Sequence, residues 1–240
     1  MKPMKNLTEL KFFAGHPHPC GYLDNKESVS AFLDPNTPVD KSLYSALADL
    51  GFRRSGEHIY KPHCHNCTAC IPIRLPVTEF LPNRSQKRCL KRNNDLSASI
   101  IDNIDTEEHY ALYENYISQR HSDGDMYPPS KETYLSFLSK QWGIKKYTEF
   151  RNNDELIAVS VIDELNNGLS ATYAFFSPNE GKRGLGQFNV LFLIDLAKKM
   201  GLSFMYLGYW IKECQKMNYK INYKPFELLL GNEWILCDKD

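Results

Sequence analysis

Apolar residues recur along this chain in two rhythms. Leu43, Tyr44, Leu47 and Leu50 fall at i, i+1, i+4 and i+7, which predicts a helix from Val39 onward, capped by Asp40 and stopped by Gly51. Residues 71–77 alternate instead, with Ile71, Ile73, Leu75 and Val77 on one parity and Pro72, Arg74 and Pro76 on the other. This pattern is a strand with one apolar face, and Arg74 points off that face. Proline has no N–H to give a ladder, so Pro72 and Pro76 predict an edge or irregular strand. Between the helix and the strand lies a segment, residues 52–60, that turns at Gly56.

A different rhythm starts after about residue 100, which predicts two domains, 1–100 and 101–240. Asp105 and Glu108 have capping-box spacing ahead of a helix whose inward stripe is Tyr110, Tyr113 and Ile117. A second helix is expected over residues 130–142. Strands follow at 145–151, 155–163 and 169–176, joined by Asn-Asn-Asp and Asn-Asn-Gly turns, so an antiparallel meander is expected. The stretch GKRGLGQFNVLFLIDLAKKMG then supplies a glycine-bearing loop and a helix whose middle, 190–194, is apolar all round and therefore buried. A strand at 203–208, a short polar helix at 211–219 and one or two strands within 226–236 follow. A glycine loop between a central strand and a long helix resembles the acyltransferase fold of N-acetyltransferases (GNAT). The expected class is α+β, with an N-terminal cysteine-bearing α/β domain and a C-terminal GNAT-like acyltransferase domain.

Composition narrows the classes. At 240 residues and 42% hydrophobic content, the chain can bury one large core or two modest ones and is not a disordered sequence. Basic and acidic residues balance at 29 each, so a polyanion partner must be held by a local patch. No run approaches the roughly 18 apolar residues of a membrane span, and MKPMKNLTEL lacks an apolar signal core. The expected address is cytoplasmic, with no membrane partner. Seven cysteines, an odd number with Cys214 and Cys237 far from the rest, read as reduced thiols or metal ligands and not as an extracellular disulfide framework.

Four stretches carry chemistry. Cys64, Cys67 and Cys70 stand at three-residue intervals; with Cys20, Cys89, His63 or His65 they suit zinc or an iron–sulfur cluster, and equally three thiols packed in a loop. Gly181, Gly184 and Gly186, with Lys182 and Arg183, suit either an anion site at a helix start or a plain turn. In YLGYWIKECQKMNYK, residues 206–220, Lys212, Lys216 and Lys220 form at helical spacing one basic face beside aromatics, fit for a phosphate backbone and a stacked base or simply solvated. Residues 81–94 hold Arg84, Lys87, Arg88, Lys91 and Arg92 with no acidic residue. No Gly-x-Ser-x-Gly and no nucleophile with a partner histidine stand out, which disfavours a covalent-intermediate hydrolase.

Together, CGYL at Cys20, YKPHCHNCTACIPIRLPV at Tyr60, PNRSQKR at Pro82, FFSP and GLG from Phe175 onward, and the segment at Tyr206 resemble the aminoacyl-tRNA protein transferase family. Its members extend protein N-termini in the N-degron pathway. The resemblance runs from about residue 10 to residue 236. Arginyl-transferring members carry Cys-Gly-Tyr-Cys and an adjacent cysteine pair; here Leu23 replaces the second cysteine, and Cys64, Cys67 and Cys70 replace the pair. The length and cysteine pattern are similar to the bacterial branch, which moves leucine from leucyl-tRNA to proteins beginning with Asp or Glu.

The resemblance implies an aminoacyltransferase with aminoacyl-tRNA and acidic N-termini as partners and no required cofactor. Zinc or an iron–sulfur cluster at Cys64, Cys67 and Cys70 stays open. Tyr206 and Tyr209 are expected at the aminoacyl ester as catalytic residues. Lys182, Arg183, Gly184, Gly186, Trp210, Lys216 and Lys220 are expected on the aminoacyl-tRNA end, and Arg84, Arg88 and Lys91 on phosphate backbone. Cys20, Tyr22 and Arg74 are expected to recognise the acceptor N-terminus, Arg74 through its guanidinium. Alternatives are arginyl transfer, a CoA-dependent N-acetyltransferase, and a zinc-dependent RNA-binding module without catalysis.

Overall fold

The computed structural model describes residues 7–124, 126–139 and 143–237. Its strands are β1 (Phe12–Ala14), β2 (His18–Pro19), β3 (Glu27–Ser28), β4 (Ser30–Leu33), β5 (Arg53–Ser55), β6 (His58–Pro62) and β7 (Ile71–Pro76), then β8 (Ser97–Ile101), β9 (Lys145–Asn152), β10 (Glu155–Glu164), β11 (Gly168–Phe176), β12 (Phe204–Trp210), β13 (Phe226–Leu230) and β14 (Glu233–Cys237). The α-helices are α1 (Lys41–Asp49), α2 (Arg84–Arg92), α3 (Glu107–Arg120), α4 (Lys131–Tyr134), α5 (Leu185–Lys199) and α6 (Gln215–Asn218).

Local chemistry explains most of these boundaries. Asp40 accepts from the Leu43 N–H and starts α1, as its position predicts. Asn83 and Gln86 form a reciprocal capping box that starts α2. Helix α3 is capped one residue later than expected, by Thr106, whose hydroxyl accepts from the His109 N–H, because Asp105 is held in a turn by Asn103. Ser130 caps α4, which passes at once into a π-helical turn over Leu135–Ser139; the remainder of the helix expected to residue 142 lies outside the described residues. The polar helix expected at 211–219 is only α6 and a 3-10 turn, Tyr219–Asn222.

Strands β8 to β14 and β7 form one eight-stranded sheet in the order β14-β13-β7-β12-β11-β10-β9-β8, while β1-β4-β6-β5 form a second sheet. The meander β9-β10-β11 is antiparallel as the turns predict. Strand β12 then returns parallel to β11 after the crossover helix α5, giving the N-acetyltransferase-like core of an α+β protein. The two-domain expectation placed residues 71–77 with the N-terminal half, yet β7 sits between β12 and β13 in the large sheet. Nor is β7 the edge strand its prolines suggested. Its ladder with β13 is confined to Ile73 and Arg74, two of the three residues between Pro72 and Pro76, where no missing N–H interrupts it.

Both faces of the large sheet are covered. Ile73, Leu75 and Val77 pack with Met205 and Leu207 under α5, in the largest core. The other face carries Tyr147, Val159 and Phe175 under α3 and α4, and Tyr206 with Leu165 under α1. Arg74 is on this second face, off the apolar parity as read, but it is buried beneath α1 and not presented to solvent.

Candidate active site

Strands β11 and β12 pair only through Gly168–Ser170 and Phe204–Tyr206. The strands touch closely at the root: a Cβ on Gly168 would meet the Phe204 carbonyl at 2.5 Å. Beyond the root they part. Leu207 is an extra residue in the β12–β7 ladder, and the bulge puts Gly208 at φ +81. Arg53 of β5 spans the gap that results: its Nη2 donates to the Ala171 carbonyl on β11 at 2.5 Å, and its guanidinium packs on the bare Cα of Gly208 on β12. The far end of β11 meets the start of α5, where Gly184 adopts the left-handed conformation and Gly186 lies against the Phe176 ring.

Beside this gap is a cavity of about 900 Å³. It is lined by the cysteine segment with Cys20 and Tyr22, and by Tyr60, Tyr209 and Ile211. The Tyr209 hydroxyl donates to the Gly51 carbonyl at 2.9 Å, and its ring stands 6.3 Å from that of Tyr60. The sequence-predicted acceptor residues Cys20 and Tyr22 and the predicted donor residue Tyr209 therefore share one space, although 187 positions separate Tyr22 and Tyr209 in the chain.

All seven cysteines are free thiols. Burial, with Cys20, Cys64 and Cys67 nearby, pushes the Cys70 thiol up to about 12, so it is a neutral wall group and not a ready thiolate. Cys64 Sγ accepts from the Val29 N–H at 3.4 Å, which ties the segment to the small sheet. Among the described residues no group of three or more His, Cys, Asp or Glu side chains is arranged to hold a metal ion, and the geometry of Cys64, Cys67 and Cys70 fits no such site as it stands.

Other sequence-predicted residues fall in three places. Arg74 is outside the cavity: its guanidinium pairs with Asp49 at 3.0 Å and with Glu227 at 2.5 Å, donates to the Tyr206 hydroxyl, and is sandwiched by Phe204 and Trp234. Two carboxylates already neutralise it, which leaves no charge for a substrate. Tyr206 belongs to the same network, its hydroxyl bonded to Asp49. Burial drives both Tyr206 and Tyr209 well above the ordinary phenol range, so both hydroxyls are neutral near pH 7.

The second group is the loop before α5. Arg183 is held by Asp95, with two contacts of 2.9 Å, and by Glu180, so it braces the loop and is not available to phosphate. Lys182 is exposed. Helix α2 docks on the loop through Cys89 and Asn93, whose side chains reach the Arg183 and Gly184 carbonyls. Arg84, Arg88 and Lys91 are exposed on the side of α2 away from this contact, and Arg92 donates to the Lys182 carbonyl.

The third group does not form the stripe that helical spacing predicted. Lys216 is exposed and paired with Asp123 at 2.9 Å. Lys220 is buried, 6% exposed, and donates to the Tyr209 carbonyl at 2.6 Å. Burial, with Arg53 adding, pushes its pKa down to about 7. The Trp210 indole N–H is buried with no partner among the described residues. Arg53 and Tyr60 were not singled out by sequence; the adjacent Arg53-Arg54 pair before a Gly turn is the one signal that pointed there, because neighbours in a strand face opposite ways and one of two must enter the core.

The sheet is that of a GNAT-like acyltransferase, and it opens beside an aromatic and thiol-lined cavity. The chain belongs to the arginine-tRNA-protein transferase family: the model of the family's N terminus matches residues 18–88 and that of its C terminus residues 108–230. A curated relative, the aspartate/glutamate leucyltransferase of Saccharophagus degradans, is 58% identical over 97% of this chain and 99% of its own length. The relative of the same name from Teredinibacter turnerae is 53% identical, over 98% of this chain and 97% of its own. Among solved structures, L-PGS from Bacillus licheniformis is similar over 70% of this chain and 50% of its own, with 11% identity and a TM-score of 0.47. FemX is similar over 84% and 80%, with 10% identity and a TM-score of 0.42.

Proposed function

We propose that this chain transfers leucine from leucyl-tRNA to the α-amino group of proteins beginning with Asp or Glu, marking them for degradation, and that it works in the cytoplasm. The observation that supports the reading is the shared cavity, which both the cysteine segment and the end of β12 line; in this reading it takes the acceptor N-terminus beside the donor ester. The relatives' name supports leucine and acidic acceptors. No described helix is long and apolar enough to cross a membrane.

The acceptor amine attacks the carbonyl of the aminoacyl ester. A C–N bond forms, the ester C–O bond breaks, the tRNA 3′-hydroxyl leaves, and the amine gives up its proton. A terminal amine has a pKa of roughly 7.7 to 8.0, so a useful fraction is neutral near pH 7 without a dedicated base. Holding ester and amine in contact supplies several kcal/mol through effective molarity. In this reading Lys182, Arg84, Arg88 and Lys91 take tRNA phosphates, and the Gly184–Gly186 turn admits the acceptor end to the gap.

The test offers the purified protein leucyl- and arginyl-tRNA in parallel with peptides led by Asp, Glu, Lys and Arg. Leucine should appear on the Asp- and Glu-led peptides. Arginine transfer alone would move the donor assignment, and thermal stabilisation by acetyl-CoA but not by leucyl-tRNA would replace the reading with an acetyltransferase.

A further inference from the structure

An acidic acceptor needs a cation, and the cation singled out by sequence, Arg74, is already matched by Asp49 and Glu227. The buried cations of the described residues are Arg53, Arg54, Arg74, Lys145 and Lys220. Arg54 is fully buried against Asp163, with contacts of 2.7 and 3.0 Å. Lys145 has the charges of Asp163 and Glu57 beside it. Arg53 and Lys220 differ: each donates to a backbone carbonyl, and neither has a carboxylate partner among the described residues.

A buried cation without a counter-ion is costly, and two of them close enough to repel each other are costlier. These two flank the same turn of β12. Arg53 packs on Gly208, and Lys220 holds the carbonyl of Tyr209. Arg53 also lies opposite Tyr60 in the β5–β6 ladder, so the pair adjoins Tyr60 and Tyr209, which line the cavity, without lining it themselves. An anion that enters beside Tyr60 and Tyr209 would supply the missing countercharge.

Resting on the proposed function, we infer that Arg53, with Lys220 beside it, receives the side-chain carboxylate of the acceptor's first residue. The guanidinium gives two parallel N–H donors to a carboxylate, and the amine adds a charge on a flexible stem that adjusts to aspartate or the longer glutamate. This arrangement also places the acceptor's α-amine, two bonds from the side chain's root, at the mouth of the gap where the ester is seated. Arg53 and Lys220 are therefore specificity-determining residues of this site.

The experiment measures leucine transfer from leucyl-tRNA to two peptides that differ only in an N-terminal Asp or Asn, for wild type, Arg53→Gln, Arg53→Lys and Lys220→Met. Removing one partner of a desolvated charge pair should lower kcat/KM for the Asp-led peptide about 100-fold in Arg53→Gln, against less than about tenfold for the Asn-led one. Lys220→Met should shrink the Asp/Asn ratio about tenfold. An Asp/Asn ratio in Arg53→Gln within about threefold of wild type overturns the inference. Should Arg53→Gln not fold, Arg53→Lys keeps the charge without the fork, and an unchanged ratio in that variant overturns it equally. Wild-type protein that transfers no leucine to the Asp-led peptide defeats the parent reading, and this inference with it.

Discussion

Replacing Lys220 by methionine should make the protein more stable, by an amount that depends on pH. The ammonium of Lys220 is buried, with the charge of Arg53 opposing it and only the Cys214 and Cys70 thiols favouring it. A fall from the ordinary 10.5 to about 7 corresponds to a penalty of about 5 kcal/mol on the charged form. Between pH 7 and 10.5 the unfolded lysine holds a proton that the folded one has released, so wild-type stability from this group rises with pH across that window. The penalty is complete below pH 7 and absent above 10.5. Methionine never carries it, but forfeits the hydrogen bond to the Tyr209 carbonyl, about 1 kcal/mol. The Met variant should therefore exceed wild type by about 4 kcal/mol at pH 6.5 and by about 1 kcal/mol at pH 9. Urea denaturation followed by tryptophan fluorescence, with equal m-values for the two proteins, reads this difference. Titrating groups not coupled to Lys220 are common to both and cancel; the Cys70 thiol, which Lys220 influences, is protonated over most of this window. A difference independent of pH, or a Met variant less stable at pH 6.5, would refute the reasoning. The same variant gains stability while losing preference for acidic acceptors, the trade expected where a binding group is buried unmatched.

Three other outcomes follow from the geometry. Arg88→Ala, on the exposed face of α2, should lower the slope of log affinity for leucyl-tRNA against log salt by roughly one unit or less; an unchanged affinity and slope would remove α2 from the tRNA surface. Arg74→Met strands Asp49 and Glu227 and should cost about 2–3 kcal/mol in urea denaturation, below the range for a fully buried pair because the Asp49 side chain is 41% exposed. Its Asp/Asn preference should stay at the wild-type level, opposite to Arg53→Gln. Gly208→Ala should cost about 1–2 kcal/mol from the left-handed backbone alone, since the new Cβ would meet the Arg53 guanidinium at an ordinary 3.6 Å; a stability equal to wild type would mean the bulge relaxes.

What was legible in the sequence is what short-range physics controls. Asp40 caps α1 because a carboxylate three residues from a free N–H needs no partner elsewhere. The parity of residues 71–77, the Asn-rich turns of the β9-β10-β11 meander and the glycine turn before α5 follow from backbone periodicity and turn chemistry in the same way. That order of elements determined the fold class, and the motifs along it determined the family. Neither depends on which strand ends beside which.

Tertiary structure decided the neighbours, and with them the meaning of every charge. The spacing of Arg74 said which face it takes, not that Asp49 and Glu227, 25 and 153 positions away, would neutralise it there. Lys220 matched a helical stripe on paper, but the chain is helical for only four residues at 215–218, and the following turn carries the lysine under β12. In the chain Arg53 and Arg54 are adjacent and alike, yet Arg54 takes Asp163 while Arg53 faces Gly208. A side chain's chemistry is set by the field around it, and in this molecule that field is assembled from segments more than a hundred residues apart.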